Sequence, residues 1–214
     1  MKKCMLSLIA LFLIAGCSST PTQTPTPVAT EEATPTPTAE TAEVTDYVIG
    51  TWTDNLYESE TIGIRFTLQD GWISQSEEYQ QAILDAGSEA LGQEATQETI
   101  LEFLVTTKDN GVNIQGVSNY VGPIVKSLTP ELLIETMKSQ LTAVEEFSYE
   151  VLEEGTATVG GSEFNYLYLL ETNYNLHQKV YFKVVGEYLT SITVSSDEAN
   201  VEKAEEFVNS IEAY

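Results

Sequence analysis

The chain changes character at Tyr47. All eleven tyrosines and both tryptophans lie between Tyr47 and Tyr214, while five of the seven prolines (Pro21, Pro25, Pro27, Pro35, Pro37) precede it. Residues 18–46 contain no aromatic side chain and no Lys or Arg. Such a stretch cannot bury enough apolar surface to offset the entropy of ordering it. Its Thr-Pro-Thr-Pro pieces extend as polyproline II at ~3.1 Å per residue, a reach of roughly 90 Å when stretched. Folding is therefore confined to the 168 residues from 47 to 214. That length suits one domain burying roughly 70 % of its unfolded surface.

Ahead of the spacer come Lys2 and Lys3, an apolar run from Cys4 to Ala15, and the sequence Ile14-Ala15-Gly16-Cys17. A membrane-spanning helix needs ~20 apolar residues, so this run is too short and has the secretory layout instead. Ile14-Ala15-Gly16-Cys17 resembles the lipobox of bacterial lipoproteins. In that family the cysteine thiol receives a diacylglyceryl group and the chain is cut just before it. The resemblance implies a signal peptide over residues 1–16 and a lipidated Cys17 open to palmitate labelling. Residues 17–46 become a disordered Thr/Pro-rich linker of Gram-positive type. The partner so implied is a lipid bilayer, with the folded part on the extracytoplasmic face of the cell membrane. Two acyl chains suffice for stable anchoring. Cys4 leaves with the leader, so the mature chain has no disulfide and no cysteine metal site. The alternative is an ordinary signal peptide that releases a soluble protein.

The whole chain carries a net charge of −24. Without Lys2 and Lys3 the remainder has 33 acids against 7 bases, a net of −26, and the 28 acids from residue 47 onward leave −21 on the domain. This charge repels nucleic acid and anionic headgroups. It reads as a solvated, soluble surface, with a cationic partner or Ca²⁺ as the alternative.

Along the domain, 49–53 and 56–58 read as short extended pieces. Ile64, Phe66 and Leu68 alternate with polar neighbours as a half-buried strand, and Gly71 turns the chain toward Trp72, expected to close one end of the core. Ser74 and Glu77 fit a capping box, with Tyr79, Ile83, Ala86 and Ala90 or Leu91 at helical spacing and Gly92 as the stop. Residues 100–106 are apolar on both faces, a strand covered from each side, and Asn110-Gly111 signals a hairpin into Val112 and Ile114. Thr129-Pro130 opens a second helix with the stripe Leu133, Met137, Leu141, Val144. Gly160-Gly161, Asn173-Tyr174-Asn175 and Gly186-Glu187 punctuate a four-strand meander. Ser195 and Glu198 fit another capping box before a closing helix with Val201, Ala204, Phe207, Val208 and Ile211. The expected fold is α+β: an antiparallel sheet with helices on both faces.

Gly63-Ile64-Arg65-Phe66-Thr67-Leu68-Gln69-Asp70-Gly71-Trp72 is similar to the "GI-x-F-x-L-P-x-GW" opening of bacterial lipoproteins related to PsbP, the extrinsic photosystem protein. Their fold is shared with the Mog-type Ran-binding factors. Gly186-Glu187-Tyr188, the strand after it, and a helix ending Val208-Asn209-Ser210-Ile211 fit as well. Gln69 stands where proline is usual. The resemblance implies a PsbP-like α/β/α sandwich over 47–214 and carries over no catalytic residue and no photosystem binding.

The lone histidine, His177, shares strand alternation with Lys179, Tyr181 and Lys183. A hydrolytic triad needs a positioned nucleophile and an orienting acid, and no G-x-S-x-G elbow supplies them. No EF-hand loop is present, Asp109-Asn110-Gly111 being explained by its turn, and no cofactor or metal is expected. Tyr166, Tyr168, Tyr174, Tyr181 and Tyr188 cluster in the meander, as cross-strand packing or as an aromatic platform. The leading expectation is a non-enzymatic binding or accessory module, touching a surface protein or cell-wall ligand through Asn173, Tyr174, Asn175 and His177. The alternatives are an extracytoplasmic hydrolase with a carboxylate pair and, ranked lower, a solute-binding component of a transporter.

Overall fold

The computed structural model describes residues 47–90, 99–142 and 147–214, with residues 86–90 given by their backbone. The turns of the second half organise it. Gly160 and Gly161 take φ of 55° and 73°, Asn175 takes 52° and Gly186 takes 61°, a region that Gly and Asn enter at least cost. Gly160 also has no room for a side chain, because a Cβ there would lie 2.8 Å from Ile64 Cγ2. These turns fold β7 (Tyr149–Val159), β8 (Ser162–Glu171), β9 (Leu176–Val185) and β10 (Tyr188–Asp197) into consecutive antiparallel strands. β5 (Thr99–Thr107) and β6 (Val112–Tyr120) form the expected hairpin over Asn110, at φ 58°. With β4 (Trp72–Ser74) at one edge, the large sheet runs β4-β5-β6-β10-β9-β8-β7.

Strand alternation gives this sheet two buried faces. On one, Phe103, Val105, Ile114, Phe164, Ile192 and Val194 meet Ala204, Phe207 and Val208 of α3 (Val201–Asn209). A second, four-stranded sheet lies on the same face: β1 (Thr51–Thr53), β2 (Leu56–Ser59), β3 (Ile64–Thr67) and the C-terminal β11 (Glu212–Ala213), in the order β1-β2-β3-β11. It contributes Tyr57, Ile64 and Phe66 to the same cluster. On the other face, Leu84 of α1 (Glu77–Ala90) packs on Leu101, Leu104 and Val117. Leu133, Met137 and Leu141 of α2 (Pro130–Thr142) pack on Leu167, Leu169, Val180 and Phe182. The domain is α+β with helices on both faces of an antiparallel sheet, as the sequence implies. The early strands do not join that sheet but build the second one, closed by residues 212–213.

Local expectations fare unevenly. Thr129 caps α2, its Oγ1 accepting from Leu132 N at 3.3 Å ahead of Pro130. The cap of α1 is Ser76, whose Oγ accepts from Tyr79 N at 3.3 Å; Ser74 is spent in β4. Leu84 rather than Tyr79 anchors α1, and Tyr79 is exposed. Ser195 does not cap the last helix. It lies buried in β10 and accepts from Gln178 Nε2 at 3.0 Å, and the chain passes through a 3₁₀ turn at Glu198–Asn200 first. Trp72 is half-buried at the sheet edge, its ring 4.5 Å from that of Phe207, so it borders the core rather than filling it. Gly92 and Val144 lie outside the described residues.

Two strands carry an extra residue. In β5 the register shifts between Leu101 and Phe103 around Glu102, and in β7 between Val151 and Glu153 around Leu152. The first bulge turns a carboxylate inward. Glu102 is buried, and its Oε2 accepts from Tyr57 Oη and, at 2.9 Å, from Gly50 N. The Tyr47 hydroxyl joins the same region through Ser118 Oγ at 2.5 Å, and Ser118 meets Thr190 Oγ1 at 2.8 Å. The second bulge leaves Leu152 42 % exposed on the outermost strand, beside Glu150, Glu153 and Glu154.

Candidate functional site

Between α3 and strands β8–β10 the apolar packing gives way to a cleft. Tyr168, His177, Lys179 and Tyr181 line its sheet side with Val194 and Ser196, and Val201, Ala204, Glu205 and Val208 line its helix side. Direct pairing of Tyr168 with Lys179, and of Tyr166 with Tyr181, puts the ammonium group among aromatic rings. Lys179 Nζ lies 4.8 Å from the ring centre of Tyr166, 5.8 Å from Tyr168 and 5.6 Å from Tyr181. Each such contact stabilises by ~0.5–1 kcal/mol at a partly exposed site. Glu205 Oε1 stands 3.8 Å from the same nitrogen, a long, exposed pair that adds little.

The Tyr168 hydroxyl and His177 Nδ1 are 2.8 Å apart. Burial first, then the negative charges of Glu205, Glu153 and Glu198, pushes the Tyr168 phenol upward. Either atom of this pair can be the donor, according to the tautomer of the imidazole. His177 is thus committed to a tyrosine, although Ser196 is its cross-strand neighbour. Two carboxylates near the cleft are engaged too: Glu153 Oε1 accepts from Tyr166 Oη at 2.6 Å, and Glu205 faces Lys179. The arrangement offers aromatic faces, one cation and a polar ring edge, which is binding chemistry.

Of the residues singled out in the sequence, Asn173, Tyr174 and Asn175 form the exposed β8–β9 tip, with Tyr174 73 % exposed. His177 lies further down β9, half-buried in the cleft. Cys17 lies outside the described residues. Tyr166, Tyr181 and Tyr188 are buried packing residues. What sequence reasoning missed is Glu171, 1 % exposed, which holds the tip by accepting from Ser148 N at 3.0 Å and Tyr174 N at 2.7 Å. It missed the helix side of the cleft as well. The polar alternation of His177, Lys179 and Tyr181 was the signal for one wall, and nothing local in the sequence ties it to Glu205. Among the described residues no group of three or more His, Cys, Asp or Glu is placed to hold a metal ion, and no helix is long and apolar enough to cross a membrane.

No family model and no curated protein sequence matches the chain. Solved structures do. The cyanobacterial PsbP (CyanoP) of Synechocystis sp. PCC 6803 superposes with a TM-score of 0.50 at 11 % identity, covering 74 % of this chain and 91 % of that one. LpqN, involved in cell envelope biogenesis of Mycobacterium tuberculosis, gives 0.42 at 10 % identity, covering 70 % and 82 %. The Ran-binding protein Mog1p of Saccharomyces cerevisiae gives 0.37 at 11 % identity, covering 74 % and 94 %. The domain has a PsbP-like fold. At these identities the likeness is one of fold alone.

Proposed function

We propose that the chain is a membrane-anchored extracytoplasmic lipoprotein whose PsbP-like domain is a non-enzymatic binding or accessory module, held out from the bilayer by residues 17–46. The observation that carries the binding reading is the cleft under α3, where Lys179 stands over three tyrosine rings beside His177. A surface protein is the partner that suits it, because side chains of mixed aromatic and acidic character would meet rings, a cation and a histidine together. The exposed Tyr174 tip extends the contact surface.

Anchoring is tested by palmitate labelling of the full chain in a Gram-positive host. Label and membrane fractionation are both expected to vanish in Cys17→Ala, and wild-type protein found wholly in the medium would overturn the anchor. Binding is tested by measuring retention of the protein on intact cells of its own source. Lys179→Ala and Tyr174→Ala should each weaken retention about tenfold, since lost hot-spot contacts cost ~1.4 kcal/mol or more. Tyr174→Ala should leave the melting temperature unchanged. Undiminished retention in both variants would place the contact elsewhere.

A further inference from the structure

The rim of the tyrosine cleft carries one of the domain's own carboxylates. Val201, Ala204, Glu205 and Val208 recur at helical spacing along α3, so one face of that helix overlies the sheet wall. Glu205 stands at the edge of that face with its side chain 56 % exposed, and the Lys179 side chain across from it is 23 % exposed. The two halves of this pair are held very differently. The ammonium lies 4.8, 5.6 and 5.8 Å from three ring centres, on strands whose backbone register fixes them, and cation–π attraction keeps it there. The carboxylate stands 3.8 Å from that nitrogen, beyond the ~2.7–2.9 Å of a charge-assisted hydrogen bond. The cation is therefore fixed, and its carboxylate is loosely held.

Charge decides what can enter. Lys179 supplies the lysine or arginine charge among the residues that line the cleft, while Glu153 and Glu198 join Glu205 in charging the surroundings of the Tyr168 hydroxyl. An anion added to these three carboxylates would be repelled. An anion that takes the place of Glu205 leaves the balance unchanged. Glu205 then turns into solvent, which costs little for an exposed side chain in a long ion pair. The incoming carboxylate reaches the close contact with the ammonium that Glu205 does not make, and the tyrosine faces cover aromatic atoms on either side of it.

We propose that Glu205 is a built-in stand-in for the ligand: the cleft takes an acidic side chain of a partner polypeptide, flanked by aromatic residues, whose carboxylate displaces Glu205 from Lys179. This rests on the reading of the cleft as the binding site, and adds to it a ligand class and an autoinhibitory contact. Lys179 recognises the carboxylate, the tyrosines form the platform beneath its neighbours, and Glu205 sets the threshold. Affinity is lowered by the share of molecules in which Glu205 occupies the cation.

His177 is the lone histidine and lines the cleft, so its imidazole NMR signals report occupancy. The test titrates the full chain with the capped tripeptide acetyl-Tyr-Glu-Tyr-amide and with its Gln and Lys counterparts. The Glu peptide should shift the His177 signals saturably, the Gln peptide should bind at least tenfold more weakly, and the Lys peptide should not bind. Glu205→Gln should tighten the Glu peptide about fivefold, while Glu202→Gln, which removes the same charge from an exposed position on the same helix, should change it less than about twofold. Lys179→Met should abolish binding, and Glu205→Gln carries the test if the lysine variant fails to fold. Equal tightening by both glutamine variants overturns the stand-in role. A Gln or Lys peptide that binds as well as the Glu peptide overturns the ligand class, as does failure of the Glu peptide to bind both wild type and Glu205→Gln. Retention on cells separates this proposal from the reading beneath it. If Lys179→Ala loses retention while Glu205→Gln stays at the wild-type level, the cleft remains the binding site and the stand-in falls. Retention undiminished in Lys179→Ala removes both.

Discussion

Above pH 10 the domain is expected to lose stability steeply and to unfold within about two pH units. Tyr47, Tyr57, Tyr149 and Tyr181 are held protonated well above the ordinary phenol value. Burial is the main cause in each, reinforced by the charge of Glu102 for the first two, Glu171 for the third and Glu205 for the fourth. With a folded value raised above the unfolded value of ~10, the folded state keeps a proton that the unfolded chain gives up. The stabilisation is complete below pH ~10 and drains away as pH climbs from there toward the folded values. One proton contributes ~1.4 kcal/mol per pH unit, so four contribute up to ~5 kcal/mol per unit, against a total stability of about 5–15 kcal/mol. Lys183 works the other way. Burial lowers its value, so relief of its buried charge adds stability as pH rises, but this is complete near the ordinary lysine value of ~10.4. Urea unfolding at steps from pH 8 to pH 12 measures the slope, and Tyr57→Phe should flatten it by one proton. A wild-type slope below one proton would mean that these phenols titrate freely.

Phe66→Ala is expected to destabilise the domain by ~3–5 kcal/mol, the range for a buried large aromatic. Phe66 is 2 % exposed, and its ring centre lies 5.6 Å from that of Trp52, 5.1 Å from Tyr57, 5.0 Å from Phe103 and 5.2 Å from Phe207. Those neighbours come from β1, β2, β5 and α3, so one side chain joins the small sheet, the large sheet and the last helix. Edge-to-face geometry adds ~0.5–1.5 kcal/mol per pair beyond area, which places the cost toward the upper end. Thermal unfolding should fall by about 6–20 °C at ~2–4 °C per kcal/mol. Phe66→Leu should recover more than half of the loss. A loss below ~1 kcal/mol in the alanine variant would show that the small sheet does not pack on the large one.

The parts legible in the sequence are those whose chemistry is local. Gly160-Gly161, Asn175 and Gly186 mark their turns because the backbone there needs a positive φ, and the strand lengths between them follow. The stripe Leu133, Met137, Leu141 reads as a buried helix face because its spacing is helical. Capping is less legible, since Ser74, Ser76 and Ser195 all look alike in sequence and strand pairing claims two of them. Pairing of 212–213 with β3 is invisible locally: Glu212 meets Arg65 at 3.1 Å across nearly the whole domain. The apolar run 100–106 conceals the bulge that turns Glu102 inward. For the tyrosine cleft, one strand wall can be read from the alternation of His177, Lys179 and Tyr181, while its helix wall depends on where α3 docks.

The bulged outer strand β7 has a colloidal consequence. A long edge strand exposes backbone N–H and C=O groups that a neighbouring chain can pair with. Here the extra residue Leu152 breaks the register, and Glu150, Glu153 and Glu154 crowd the same stretch. A second molecule approaching edge to edge would bring the carboxylates of Glu150 and Glu153 against their counterparts, Glu154 being paired with Lys138 at 2.8 Å, along a line that no longer matches its own spacing. At physiological salt the repulsion reaches only ~8 Å, so it does nothing at a distance and opposes fusion at contact. Copies packed closely together would jostle without stitching their sheets into a continuous fibre.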